Sequence, residues 1–448
     1  MKLELKKYQD RAVDFMLSRT KSGLLLDMGL GKTVITLTVI KELIRCGKLK
    51  RVLLVAPIRV LYNVWPAEIE KWDELSTITY HNWHESRLPV GQLPNVDIVG
   101  INPESALPLF RQKKVFQGAF NALLIDESTL FKNPSSLRFK ALKDYLHTFK
   151  YRWILTGTPA PNGLEDLWAQ IYIIDRGKAL GQYISSFRSK FCVPSFDGSG
   201  YEVLEIAQPE IYRLISPLVL RMDARDHIDM PELIFNQIAV ALDDKSMAIY
   251  REMEKKFIVM LESGETIASP NVAVAGGRCR QIANGGLYDQ DGNAIHIHDV
   301  KADAIKEIVE ELNGKSVLIF YEFLHDLERI RKALGDIPNL SEAKNQKQLV
   351  DDFNSGKVRL MVGHPQSIGM GLNLQGACYN VVWMSVPWNL GDHDQAIARV
   401  CRQGQKSARV VVHYIMAKRT RDYYVLRVLT KKGATQQELL DALKDTSQ

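Results

Sequence analysis

The chain has 448 residues, 46% of them apolar and 25% charged, with a formal net charge of +6; it is too long for one ordinary core, so two or three domains of soluble globular type are expected. The charge tolerates a polyanionic partner without demanding one. Five scattered cysteines with no C-x-x-C pair argue against a zinc site or a disulfide framework, and a charged start with no apolar run near ~18 residues argues against a signal peptide or membrane helix, so a cytoplasmic protein is expected. Short apolar runs then alternate with longer helical patterns. Strands are expected at 23–26, 52–56, 96–101, 122–125 and 153–155, and again at 317–320, 358–362, 380–384 and 410–415. Two such series predict two α/β lobes with parallel sheets. Between them, about 163–221 reads as aromatic-rich helical pieces with a turn-rich stretch at 193–200. A long helix is expected at 243–261, marked by Met247, Tyr250, Met253, Phe257 and Met260, and a small hairpin near the turn signals at 284–286 and 291–293. The expected division is lobe 1 over 1–232, with a helical insertion at about 163–230, lobe 2 over 233–432, with a helical entry segment at about 243–300, and a tail at 433–448.

The strongest local signal is Asp27-Met28-Gly29-Leu30-Gly31-Lys32-Thr33, between an apolar strand and the helical run 34–43. A glycine-rich turn there lets backbone N–H groups of Gly29, Leu30 and Gly31 approach phosphate oxygens without a Cβ in the way. Lys32 would neutralise the β- and γ-phosphates of ATP, and the Thr33 hydroxyl would ligate Mg2+. The strict P-loop pattern has glycine where Leu26 stands. Asp126-Glu127 follows the strand at 122–125, at the strand end where open α/β sheets bind ligands. Asp126 would hold Mg2+, and Glu127 would orient the attacking water. A third element runs from Gln395 to Gln405; on a helix, Arg399 and Arg402 would share one face and suit a phosphate whose charge grows in the transition state.

These elements, in this order, resemble helicase superfamily II, and specifically its Swi/Snf-type branch of DNA translocases. Leu5-Lys6-Lys7-Tyr8-Gln9 resembles the entry motif, which implies that Gln9 reads the adenine edge. Val55-Ala56-Pro57, with Trp65, Glu68 and Trp72, resembles motif Ia and its trailing helix. Asp126-Glu127-Ser128-Thr129 occupies the DEAH-box position, with Thr129 in place of the usual histidine, and Leu130-Phe131-Lys132-Asn133 resembles the L-K-N extension. Leu155-Thr156-Gly157-Thr158-Pro159, with Asn162, Leu167 and Trp168, resembles motif III. In the second half, 317–320 resembles motif IV, Gly369-Met370-Gly371-Leu372-Asn373-Leu374 motif V, and Trp388-Asn389 with Gln395 through Gln405 motif VI. Ile368 stands where motif V usually has another glycine, and the usual Y-x-R-L-D-G string after motif IV is missing.

The resemblance implies two RecA-like lobes with small helical insertions between them, and ATP held in the cleft between the lobes. It assigns catalysis to Lys32, Asp126, Glu127, Gln395, Arg399 and Arg402, nucleotide contacts to Gln9, Gly29, Leu30, Gly31, Lys32, Thr33 and Gly371, and Mg2+ to Thr33 and Asp126. Double-stranded or branched DNA is the implied partner, gripped through phosphates by Arg59, Asn102, Lys132, Asn133, Asn162, Ser367, Trp388 and Asn389. The pieces at 187–201 and 219–221 look most like the annealing-helicase subgroup, and the compact size like phage-encoded versions. A monomer in a bacterial or phage-infected cytoplasm is expected. A basic cluster of Lys406, Arg409, Lys418, Arg419, Arg421, Arg427, Lys431 and Lys432 either tracks a DNA backbone or is a solvated rim. A strand-separating helicase, a catalytically decayed DNA-binding module and the motor subunit of a larger complex are the competing readings.

Overall fold

Apolar runs too short for helices collect into two parallel sheets in the computed structural model, which describes residues 1–89, 92–111, 118–194, 200–262, 270–368 and 372–445. The first unit, built mainly on Met1–Val193 and Glu202–Asp229, holds β1 (Lys21–Leu26), β2 (Val52–Val55), β3 (Tyr80–Asn82), β4 (Ile98–Ile101), β5 (Ala122–Asp126) and β6 (Tyr151–Thr156). The short strands β7 (Cys192–Pro194) and β8 (Tyr201–Val203) pair with each other in the turn-rich stretch, and β9 (Val219–Met222) returns to the main sheet. Its order is β3-β4-β2-β5-β6-β1-β9. The pairings are parallel, Leu24 lying against Leu155 on one side and Leu220 on the other.

Strands β1, β2, β5 and β6 are almost wholly buried, as continuous apolar strands covered by helices on both faces must be. Each fully buried Leu, Ile or Val contributes roughly 1.5–3 kcal/mol. The order reverses around β1, whose C-terminal end feeds the glycine-rich turn and the helix Lys32–Arg45. Ligands bind at such switch points because two crossovers leave the strand end in opposite directions.

The second unit, mainly Met230–Gly433, has a five-stranded sheet built from β10 (Glu232–Val240), β13 (Ser316–Phe320), β14 (Leu360–Gly363), β15 (Cys378–Trp383) and β16 (Arg409–Ala417). Its order is β10-β16-β15-β13-β14. The hairpin β11 (Gly286–Tyr288) and β12 (Ala294–His296) forms where turn signals predict it. The long helix spans Asp244–Glu262, with Met247 and Tyr250 buried. This is the expected fold class, parallel sheets flanked by helices in two lobes. Three strands of the two main sheets escape the sequence reading. β3 has three residues, β9 carries Arg221 inside an apolar run, and β10 is an edge strand with mostly exposed or half-buried positions and no clean alternation.

Candidate ATP-hydrolysis site and the faces around it

In the first unit the turn after β1 is set by two glycines with left-handed backbones, Gly29 at φ 88° and Gly31 at φ 80°. A Cβ on Gly31 would stand 2.6 Å from the Gln9 Nε2. Gln9 is buried; its Oε1 accepts from the Lys6 backbone N–H at 2.9 Å, and its Nε2 donates to the Leu30 carbonyl at 3.2 Å. The entry helix Lys7–Leu17 is thereby tied to the turn. Arg221 of β9 braces the turn's other side, pairing with Asp27 at 2.6 Å, while the second Asp27 oxygen accepts from the Ala224 N–H at 3.0 Å.

Lys32 folds back over the strand end, its Nζ donating to the Leu26 carbonyl at 2.7 Å and lying near Gly157. Burial pushes its pKa below the ordinary lysine value, opposed by Glu127, Asp126 and Asp27. Asp126 ends β5 and accepts from the Trp65 Nε1 at 2.9 Å; burial pushes its carboxyl up, against the Trp65 bond and Lys32. Glu127 has a left-handed backbone, φ 69° and ψ 72°. One of its oxygens, Oε1, accepts from the Thr129 hydroxyl at 2.5 Å and the Thr156 hydroxyl at 2.8 Å. Ser128 donates to Gln170 Oε1 at 2.6 Å, whose Nε2 donates to the Pro159 carbonyl at 2.6 Å, so the carboxylate turn and the β6 turn are tied together. Lys32, Asp126 and Glu127 therefore gather at the C-terminal ends of β1 and β5, with Thr33 opening the helix beside them.

Among the described residues no group of three or more His, Cys, Asp and Glu could hold a metal by itself. The oxygen donors present, the Asp126 carboxylate and the Thr33 hydroxyl, suit Mg2+, which takes one or two carboxylates and completes its shell with water and substrate phosphates.

In the second unit the helix Leu390–Ile397 carries Gln395 and ends before the arginines. Arg399 and Arg402 thus do not share a helical face as expected from their spacing. Gln405 closes the following turn, its Nε2 donating to the carbonyls of Cys378 at 2.8 Å and Val400 at 3.0 Å. The two arginines still converge: Nη1 of Arg399 and of Arg402 reach the Leu372 carbonyl at 3.4 and 3.5 Å, and Arg402 also bonds Asn373. Burial pushes the Arg402 guanidinium below its ordinary pKa. Gly371 lies outside the described residues, as do Gly369 and Met370.

The residues expected to grip DNA fall into small local groups. Lys132 pairs with Asp166 at 3.5 Å, and the Asn162 N–H donates to the same carboxylate at 2.9 Å. Asn133 and Asn102 use their side-chain oxygens to accept from the Ser135 and Ser105 N–H groups, and Arg59 lies half-buried in the helix Ile58–Asn63. In the second unit Ser367 accepts from the Ser341 hydroxyl at 2.9 Å, and Asn389 caps the helix Leu390–Ile397 by accepting from the Gly391 N–H at 2.9 Å. Trp388 remains 38% exposed. The nearly buried Arg280 lies 5.9 Å from its ring, donates to the Val386 carbonyl at 3.0 Å and pairs with Glu322. Roles for Thr156, Gln170, Trp65 and Arg280 escaped the sequence reading. The first three stand in or beside recognised motif strings, but Arg280 lies about a hundred residues from the loop it holds and leaves no sequence signal.

The SNF2-related domain family matches residues 8–285, and the helicase conserved C-terminal domain matches residues 300–404. Protein p41 of Acyrthosiphon pisum secondary endosymbiont phage 1 is 35% identical over 456 residues, covering 98% of each chain. The ATP-dependent helicase MG018 of Mycoplasma genitalium is 27% identical over 96% of this chain and 41% of its own length. The chromatin structure-remodeling complex subunit snf21 of Schizosaccharomyces pombe is 25% identical over 98% of this chain and 38% of its own. The chain thus spans about two fifths of those two longer relatives. A solved Sulfolobus solfataricus SWI2/SNF2 ATPase core in complex with dsDNA aligns over 98% of this chain and 93% of that one, at 25% identity and a TM-score of 0.47. With a family match over more than half the chain and a full-length phage relative, this chain belongs to the SNF2-related family and is a compact Swi/Snf-type ATPase core of helicase superfamily II.

Proposed function

We propose that the chain couples ATP hydrolysis to movement along double-stranded DNA. The observation that carries this reading is the gathering of Lys32, Asp126 and Glu127 at the ends of β1 and β5, beside a glycine turn tied to Gln9. That set supplies the requirements of phosphoryl transfer: backbone donors and an ammonium for the phosphates, a carboxylate for the metal and a second one for the water. Gln9 reads the adenine edge, and Gly29, Leu30 and Gly31 offer N–H groups to the phosphates. Thr33 and Asp126 would hold Mg2+, which supplies charge neutralisation on the phosphates. Glu127 orients the attacking water through a carboxylate fixed by two hydroxyls. Arg402 acts as the main arginine finger, with Arg399 supporting it and Gln395 as a further catalytic group. Loss of the γ-phosphate after hydrolysis releases what these groups hold in common, and that release drives the step.

For the polymer, the support is chemical. Lys132, Asn162, Asn133, Asn102, Arg59, Ser367, Asn389 and Trp388 are suited to phosphate and sugar contacts, a mode that reads no sequence. The test is ATP turnover against duplex DNA, single strands, forks and RNA, followed by triplex-strand displacement on duplex. Duplex stimulation with displacement supports translocation. Stronger stimulation by RNA, or strand separation without displacement on duplex, would replace it with the strand-separating reading.

A further inference from the structure

We propose that the N-terminal half of the helix Asp422–Asp445 is a second DNA-binding element of lobe 2, in which Tyr424, Arg427 and Lys431 hold duplex phosphates beside Trp388. This rests on the reading of the chain as a DNA motor. It adds an element that lies beyond residue 404, where the helicase C-terminal match ends.

The helix is fixed at its start and on one face. Asp422 accepts from the Ala417 N–H at 2.9 Å and pairs with the fully buried Lys301 at 2.7 Å. Val425 and Leu429, 2% and 3% exposed, enter the lobe's core. That burial sets what turns outward: Tyr424, Arg427 and Lys431, spaced three and four apart, form one stripe. Arg427 and Lys431 are exposed and Tyr424 is half-buried.

The stripe continues into the Trp388 loop. The Tyr424 and Trp388 rings meet edge-on, 6.0 Å between centroids at 67°. The guanidinium carbons of Arg421 and Arg427 lie 5.0 and 5.6 Å from the Tyr424 centroid. Lys432 donates to the Trp388 carbonyl at 3.1 Å. From 418 to 432 the sequence carries six cations, Lys418, Arg419, Arg421, Arg427, Lys431 and Lys432, against one carboxylate, Asp422, which is spent on Lys301. Cations held over aromatic faces keep their N–H edges directed at a partner. Guanidinium and ammonium groups on a rigid helix are what a phosphate backbone recruits, and the resulting affinity is independent of base sequence.

The experiment uses the full chain and a fluorescein-labelled random-sequence duplex, titrated from 50 to 200 mM salt. The variant R427A/K431A should bind about ten-fold more weakly, with a slope of log affinity against log salt shallower by roughly 2. Its DNA-free ATPase rate should match the wild type, and stimulation should return at higher duplex concentration. K132A is the comparator on lobe 1. If K132A weakens binding while R427A/K431A keeps wild-type affinity and slope, the helix proposal falls and the motor reading stands. If the wild type neither binds duplex nor is stimulated by it, both fall.

Discussion

Glu127 concentrates the chemistry into one residue. Its left-handed backbone sits between two donors to one carboxylate oxygen, the Thr129 hydroxyl in the same turn and the Thr156 hydroxyl at the end of β6. Replacing Glu127 by Gln keeps the shape and removes the negative charge proposed to polarise water, so turnover should fall at least ~10^3-fold while duplex affinity is retained. Thr129, which departs from the usual histidine, keeps a donor to this carboxylate. Thr129→Val should lower kcat about ten-fold with little change in KM for ATP, the size expected for one lost charge-assisted hydrogen bond. An unchanged kcat would show that the hydroxyl has no part in positioning Glu127. Gly31→Ala demands both a left-handed alanine and displacement of Gln9, so it should cost about 1–2 kcal/mol of stability by urea unfolding and weaken ATP binding. The sequence made Lys32, Asp126, Glu127 and Gln9 legible because their chemistry travels in short strings. The Thr129 contact was not legible, because it depends on a backbone angle at Glu127 that no string encodes.

Among elements, the arginine segment shows where periodicity misleads. A 3-residue spacing predicts one helical face, yet the helix stops at Ile397, and in the turn that follows Gln405 bonds the carbonyls of Cys378 and Val400. Convergence is achieved through the Leu372 carbonyl. The insertion around β11 and β12 is held to lobe 2 by long-range polar contacts. Arg280→Ala should leave DNA-free ATPase near the wild-type rate and raise the duplex concentration for half-stimulation several-fold, because the Trp388 loop loses its guanidinium support. Half-stimulation at the wild-type concentration would remove Arg280 from this role. His298 adds a pH dependence. Burial pushes its pKa from 6.5 down to about 4, with Lys301 and Arg329 opposing protonation and Asp243 favouring it. Its Nε2 donates to the Ile282 carbonyl at 2.9 Å, and Nδ1 has no hydrogen-bond partner among the described residues. Between pH 6.5 and 4 the unfolded chain binds a proton that the native state refuses, so stability rises with pH across that window and is lost on acidification. Unfolding free energy should drop by roughly 2 kcal/mol from pH 7 to pH 5, and His298→Gln should flatten that difference.

At the scale of the whole molecule, two series of apolar strands give two parallel sheets, and this much the strand pattern foretold. Edge and crossover strands such as β10 and β9 stayed hidden, because one lacks a consistently buried face and the other interrupts its apolar run with Arg221. No helix among the described residues is long and apolar enough to cross a membrane. We propose that Lys32 and Arg402 serve the same turnover, Lys32 in holding nucleotide and Arg402 in hydrolysis. The most direct test is the duplex-stimulated ATPase rate of Arg402→Ala, measured beside Lys32→Ala with nucleotide affinity followed by a fluorescent ATP analogue. Arg402→Ala should still bind nucleotide and lose ~10^3-fold or more in turnover, whereas Lys32→Ala should be impaired in both. An Arg402→Ala protein that hydrolyses ATP at the wild-type rate would contradict the proposal.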